Sequence, residues 1–166
     1  MDKDIFTQND MIKLQKYLKE NNQTITCAES CTGGLCAHMI TQIPGSSSIF
    51  KGAVVTYCND IKEQELNVKK ETMIKYGAVS IQTVSQMLDG VLKKFNANYA
   101  IAISGIAGPG GGSIDKPTGT VVIGIMSKTN GKKIDIFHFK GDRISIQNQA
   151  AKTAFKIIFK SFFKNT

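Results

Sequence analysis

The sequence predicts an α/β fold, a three-layer α/β/α sandwich around a mixed, mostly parallel sheet. Three observations carry this expectation. Short β-like runs alternate with helix-like ones along most of the chain, the pattern of parallel strands joined by crossover helices. Asn130-Gly131 stands between two strand-like runs, a hairpin signal that adds antiparallel pairing. No internal repeat, low-complexity tract or Pro/Ser-rich linker interrupts the 166 residues, so residues 1–166 read as one domain.

Each element has a local reason. Thr7 opens a helix whose apolar face is Met11, Leu14 and Leu18, and Glu20-Asn21-Asn22 closes it. A strand over 24–27 leads through Gly33-Gly34 into a helix over 35–43, and Pro44-Gly45-Ser46-Ser47-Ser48 is a loop. Residues 51–57 read as a strand, and the continuous Ala53-Val54-Val55 predicts burial on both its faces. A short helix starts at Asn59 or Asp60. Ser80 caps a helix over 81–95 with Val84, Met87, Leu88 and Val91 on one side. Residues 99–104 form a strand, followed by a glycine-rich loop over 105–117 that is too long for an idle connection. Strands over 120–127 and 133–139 form the hairpin, and Asp142 caps the last helix. Sheets of this class bind ligands beyond the carboxyl ends of their strands. Ser30, Tyr57 and Gly105 all fall at such ends and converge on one crevice.

Composition narrows the function classes. The net charge is +8, much of it lysine. Lys152, Lys156, Lys160 and Lys164 form one stripe of the last helix, opposite Ala151, Phe155, Ile158, Phe159 and Phe162. That is a solvated face, without the interleaved aromatics of a single-strand binder, so no nucleic-acid partner is expected. The positive charge helps attract an anionic substrate. No apolar run approaches the roughly 20 residues of a membrane span, and the charged start Met1-Asp2-Lys3-Asp4 is unlike a signal peptide. The expectation is a soluble, cytoplasmic protein without membrane contact. Cys27, Cys31, Cys36 and Cys58 miss the usual zinc spacings and read as reduced, mostly buried thiols, with no metal site.

The chemistry centres on Thr26-Cys27-Ala28-Glu29-Ser30-Cys31-Thr32-Gly33-Gly34, where a strand turns into a helix. Backbone N–H groups there lack helical partners and suit an oxyanion or a phosphate. Ser30 is either a nucleophile or a cap, and Cys31 is a rival nucleophile. His38 lies in a helix pattern and His138 in a strand, which gives a Ser-His-Asp triad little support. Tyr57 and Lys62 offer a different base, provided burial favours the neutral lysine. Otherwise Tyr57 is a strand-end aromatic and Lys62 a solvent-facing helix residue. The loop from Ser104-Gly105-Ile106-Ala107-Gly108-Pro109 to Lys116-Pro117-Thr118-Gly119 lacks the phosphate-loop ending and precedes a strand, and reads as a binding loop or lid. Arg143 either grips an anion or lies on the surface.

An ordered set of motifs adds a resemblance. Ala28-Glu29-Ser30-Cys31-Thr32-Gly33-Gly34, Pro44-Gly45-Ser46-Ser47, Val55-Thr56-Tyr57, Lys62, Gly77-Ala78-Val79-Ser80 and Ser104-Gly105-Ile106-Ala107-Gly108-Pro109 resemble the CinA C-terminal domain family. Gly111-Gly112, Lys116-Pro117, Gly119-Thr120-Val121 and Gly141-Asp142-Arg143 continue the match. The resemblance implies a nicotinamide-nucleotide amidase that converts nicotinamide mononucleotide to nicotinate mononucleotide and ammonia in pyridine-nucleotide salvage. Its catalytic serine, tyrosine and lysine fall on Ser30, Tyr57 and Lys62. Candidate substrate-binding residues are Cys31, Thr32, Gly33, Ser104, Gly105 and Arg143, with Ser104 standing where many relatives have threonine. The resemblance further implies the stand-alone form of the domain, self-association into a homo-oligomer, a small-molecule nucleotide as partner, and no metal or other cofactor. Two alternatives stay open: a non-catalytic nucleotide-binding module tied to competence or DNA-damage response, and a cysteine amidohydrolase using Cys31.

Overall fold

The computed structural model describes residues 5–163; the expectations for Met1-Asp2-Lys3-Asp4 and for Lys164 lie outside them. Helix α1 (Gln8–Glu20) is set by a reciprocal cap, Asp10 N donating to Thr7 Oγ1 at 3.2 Å and Thr7 N to Asp10 Oδ2 at 2.9 Å. The strands β1 (Ile25–Glu29), β2 (Phe50–Val55), β3 (Tyr99–Gly105), β4 (Thr120–Ser127) and β5 (Gly131–His138) form one sheet in the order β2-β1-β3-β4-β5. β1 pairs in parallel with both β2 and β3, while β4 runs antiparallel to β3 and β5. The sheet is therefore mixed, with β4 alone running against the rest.

Helices α2 (Leu35–Thr41), α3 (Asn59–Leu66), α4 (Lys70–Tyr76), α5 (Ile81–Phe95) and α6 (Arg143–Ile158) cover its two faces. The alternation along β3 shows which face each covers, because successive strand residues point to opposite sides. Ile101 and Ile103 share one core with Leu14 and Leu18 of α1, Cys36 and Ile40 of α2, and Ile146 and Phe155 of α6. Ala100 and Ala102 share the other with Leu66 of α3, Met73 of α4, and Val84, Leu88 and Val91 of α5. The residues on the α5 side are small because the helix sits close. A Cβ added at Gly124 of β4 would come within 2.7 Å of Val84 and 2.8 Å of Leu88. This is the three-layer sandwich the sequence predicts.

Two expectations need correction. β2 is not buried on both faces: it is the edge strand, half-exposed along its length, and it ends at Val55. An apolar run reads alike in an edge and a central strand, and strand order is decided by crossovers far along the chain. The helix α4, which the sequence reading left out, has only Met73 buried in its seven residues, too little for an apolar period. Smaller shifts occur at ends. α2 stops at Thr41, and β1 continues to Glu29.

The last helix follows its pattern as far as Ile158; Phe159, Lys160 and Phe162 lie beyond it in a π-helical turn, Phe159–Phe163, where both phenylalanines are half-buried. Asp142 Oδ1 accepts from Ser145 N at 2.8 Å, and Ala151, Phe155 and Ile158 are fully buried. Cys27, Cys31 and Cys36 are buried and Cys58 exposed, all as free thiols. Among the described residues no helix is long and apolar enough to cross a membrane. The consequence for function is the parallel trio β2-β1-β3, whose carboxyl ends deliver residues 56–57, 30 and 105 to the same rim.

Candidate active site

Ser30 follows directly on β1 and is held there by its backbone, Ser30 N donating to Ile103 O at 3.1 Å. Its side chain is nearly enclosed, 7% exposed. Lys62 reaches it from α3. On that helix Lys62 and Leu66 are the buried residues, four apart on one face, so the lysine occupies a core-facing position. It is 1% exposed. Its Nζ donates to Ser30 Oγ at 3.1 Å and to Thr56 O at 2.7 Å. No carboxylate forms an ion pair with it among the described residues. Burial pushes the Lys62 ammonium below the usual lysine range, opposed in part by Cys58 and Cys31. The same 3.1 Å separation then serves the reverse bond, in which the Ser30 hydroxyl donates to a neutral amine.

Tyr57 sits differently. It is 59% exposed, and its hydroxyl accepts from Arg143 Nη2 at 2.6 Å. No hydrogen bond joins it to Ser30 or Lys62 among the described residues. Arg143, exposed in the first turn of α6, also donates through Nη1 to Gly108 O at 2.7 Å. The guanidinium thus links the glycine-rich loop to the segment after β2.

The remaining candidates divide. Cys31 is buried, and burial with the nearby Glu29 charge pushes its thiol up to about 12, opposed by its own backbone, Lys62 and Arg143. A thiol so protonated is a poor nucleophile. Ser104 is 1% exposed, and its hydroxyl donates to Ala78 O at 2.8 Å, tying β3 to the loop before α5. Gly105 closes β3 where a Cβ would meet Val121 Cα at 2.9 Å, so only glycine fits this rim. Both histidines are exposed, His38 beside Gln42 and His138 beside Thr120. Among the described residues no three His, Cys, Asp or Glu side chains gather where they could hold a metal ion.

The turn between β1 and α2 contains a group that sequence reasoning missed. Glu29 is fully buried. Its carboxylate accepts from Thr32 Oγ1 at 2.7 Å and from the N–H groups of Gly34, Cys36 and Ala37 at 3.2, 3.0 and 2.9 Å. Gly33 N donates to Ser30 O and Leu35 N to Thr32 O. The N–H groups of Cys31 and Thr32 are left without a carbonyl or carboxylate partner among the described residues. The signal was present: Gly34, in a left-handed conformation at φ 101°, caps α2 with no side chain, so an acceptor had to come from elsewhere.

Comparison with known proteins follows the same stretch of chain. The family model of the CinA C-terminal domain matches residues 8–162. The chain belongs to the CinA C-terminal domain family. Among relatives, the nicotinamide-nucleotide amidohydrolase PncC of Escherichia coli K12 is 41% identical over 164 residues, covering 96% of this chain and 99% of that protein. A CinA-like protein of Fervidobacterium nodosum is 46% identical over 149 residues, which cover 90% of this chain and 36% of that protein. The chain thus spans about a third of the length of such CinA-like proteins. The crystal structure of the competence/damage inducible protein CihA from Agrobacterium tumefaciens superposes with a TM-score of 0.89 at 36% identity, covering 92% of this chain and 93% of that one. Within this CinA domain, the turn after β1 and the start of α3 are the two places that bring a serine and a buried lysine together.

Proposed function

We propose that this chain hydrolyses the carboxamide of nicotinamide mononucleotide to nicotinate mononucleotide and ammonia, by a serine–lysine mechanism. One observation carries the chemistry: a buried lysine, without a carboxylate partner, within 3.1 Å of a serine at the end of a central strand. Desolvating a lysine is costly and lowers its pKa, and a binding module has no use for an amine pushed toward its neutral form. The substrate comes from the likeness to PncC proteins over nearly their whole length.

In this reading the Ser30 hydroxyl gives its proton to the neutral Lys62 Nζ while Oγ bonds to the carboxamide carbon. The oxygen of the tetrahedral intermediate takes up negative charge and is received by the N–H groups of Cys31 and Thr32, the pair in this turn not already committed. Lys62 then protonates the leaving nitrogen, the C–N bond breaks, and ammonia departs from an acyl ester on Ser30. Water attacks that ester with Lys62 again taking a proton, and the acid leaves as Ser30 regains its own.

Arg143 and Tyr57 serve recognition, the guanidinium meeting the anionic end of the nucleotide at the mouth of the crevice. Tyr57 assists Lys62 only if substrate draws its hydroxyl away from Arg143. We further read residues 1–166 as one cytoplasmic domain that self-associates and works in pyridine-nucleotide salvage. The test is ammonia release from nicotinamide mononucleotide by purified protein and by Ser30→Ala and Lys62→Ala variants. Turnover lost in both variants supports the reading; turnover that survives Ser30→Ala overturns it.

A further inference from the structure

Glu29 lies next to the nucleophile in sequence yet has no part in the mechanism above. Its placement is unusual for an acidic residue. It ends a central strand, it is wholly enclosed, and no cation forms an ion pair with it among the described residues. Its charge is met instead by four neutral donors, one hydroxyl and three backbone N–H groups. An ionised carboxylate removed from water needs such donors, and hydrogen bonds to a charged acceptor are roughly twice as strong as neutral ones.

Those four donors lie three, five, seven and eight residues downstream of Glu29. The carboxylate therefore closes a ring over residues 29–37, and Ser30 is inside it. The backbone on the other side of Ser30 is also fixed, since Glu29 O accepts from Thr56 N at 2.8 Å and Ser30 N donates to Ile103 O. Thr56 in turn supplies the carbonyl that anchors Lys62 Nζ. One residue thus ties together the turn that aims Ser30 and the strand end that aims Lys62. Gly33 and Gly34, both at positive φ, give the turn no stiffness of their own.

We infer that Glu29 is a positioning residue for the serine–lysine pair, holding the β1–α2 turn so that Ser30 Oγ stays in line with Lys62 Nζ and the Cys31 and Thr32 N–H groups stay clear of carbonyl and carboxylate partners. The inference rests on the mechanism proposed above. It also means that the start of α2 already carries its anion: a substrate phosphate must be recognised elsewhere. In Glu29→Gln the side chain keeps its shape and its oxygen can still accept from Thr32, Gly34 and Cys36, but the NH2 that replaces Oε1 opposes the Ala37 N–H, the charge is lost, and the last tie of the ring to α2 is broken.

The test compares wild type, Glu29→Gln and Thr32→Val for nicotinamide mononucleotide turnover across pH, with folded fraction measured by thermal melting. Expected for Glu29→Gln is a roughly ten- to hundredfold fall in kcat per folded molecule, the scale of a misplacement of about an ångström. KM and the pH at which activity rises should stay where they are, because the mouth residues and the burial of Lys62 are untouched. Thr32→Val, which removes one of the four donors, should fall between the two. A merely structural carboxylate would lower the folded fraction and leave kcat per folded molecule unchanged, and that result overturns the inference. If wild type itself shows no turnover, the proposed reaction fails. The inference is then judged by crystal structures of wild type and Glu29→Gln: a wider Ser30–Lys62 gap in the variant upholds it, and an unchanged gap overturns it.

Discussion

The two halves of the candidate site are built on opposite principles. Ser30 and Lys62 are enclosed, 7% and 1% exposed, and each is fixed by a backbone carbonyl, Ile103 O in β3 and Thr56 O just past β2. Tyr57 and Arg143 stand in solvent, joined to each other and to a loop carbonyl by long side chains. The difference teaches where precision and adaptability reside. Burial of the first pair changes its chemistry, because a lysine cut off from water favours its neutral form. Exposure of the second keeps its electrostatics weak and screened, which suits reversible capture of a charged ligand.

The largest expected effect falls on the enclosed half. Ser30→Ala or Lys62→Ala should lower kcat by at least about a thousandfold, and the double variant should lose little more, since groups that act as a unit are non-additive. Single-turnover and steady-state ammonia assays check this. A double variant much slower than either single one would show that the two residues act separately.

The pH dependence follows from the same burial. The proposed mechanism needs neutral Lys62, so kcat/KM should rise with pH and level off below the ordinary lysine range. Stability should move in the same direction. The folded-state value lies below the unfolded one, so between the two the unfolded chain binds the extra proton, and stability rises with pH across that window. Lys62→Met should therefore melt higher than wild type near neutrality, by an amount on the order of 1 kcal/mol, while being inactive. Thermal melts at several pH values test it; a variant that melts lower at every pH would contradict a desolvated lysine.

The exposed half should yield smaller losses of another kind. Arg143→Ala is expected to raise KM roughly tenfold with a lesser change in kcat, the size of one charge-assisted hydrogen bond. The wild-type KM should itself rise with salt, and the variant's should rise less. Loss in kcat alone would place Arg143 in the chemical step. Smallest of all is Cys31→Ala, whose thiol is held protonated at about 12. Its kcat should stay within about threefold of wild type, and a large loss would revive a thiol mechanism.

How far the sequence carried this picture differs from residue to residue. Ser30 was legible as a serine between a strand and a glycine turn. Lys62 was not legible from spacing, which reads equally as a solvent-facing helix lysine; the family resemblance marked it, and only the fold shows it on the buried side of α3 with Leu66. The helix caps Thr7, Ser80 and Asp142 were legible, each acceptor lying within one turn of its donor. The partner of Tyr57 was not, because Arg143 lies 86 residues away and only the fold brings them together. Glu29 escaped because an acidic residue at a strand end normally faces water, and its donors are set by how the turn folds back. The edge position of β2 was hidden because hydropathy records burial of a side chain and not the neighbour of a strand.

The most direct test of the central claim is to quench the enzyme during turnover of nicotinamide mononucleotide and map covalent adducts on the peptides by mass. The account predicts a nicotinate mononucleotide ester on Ser30, absent from Ser30→Ala. An adduct on Cys31, or ammonia released at full rate by Ser30→Ala, would contradict it.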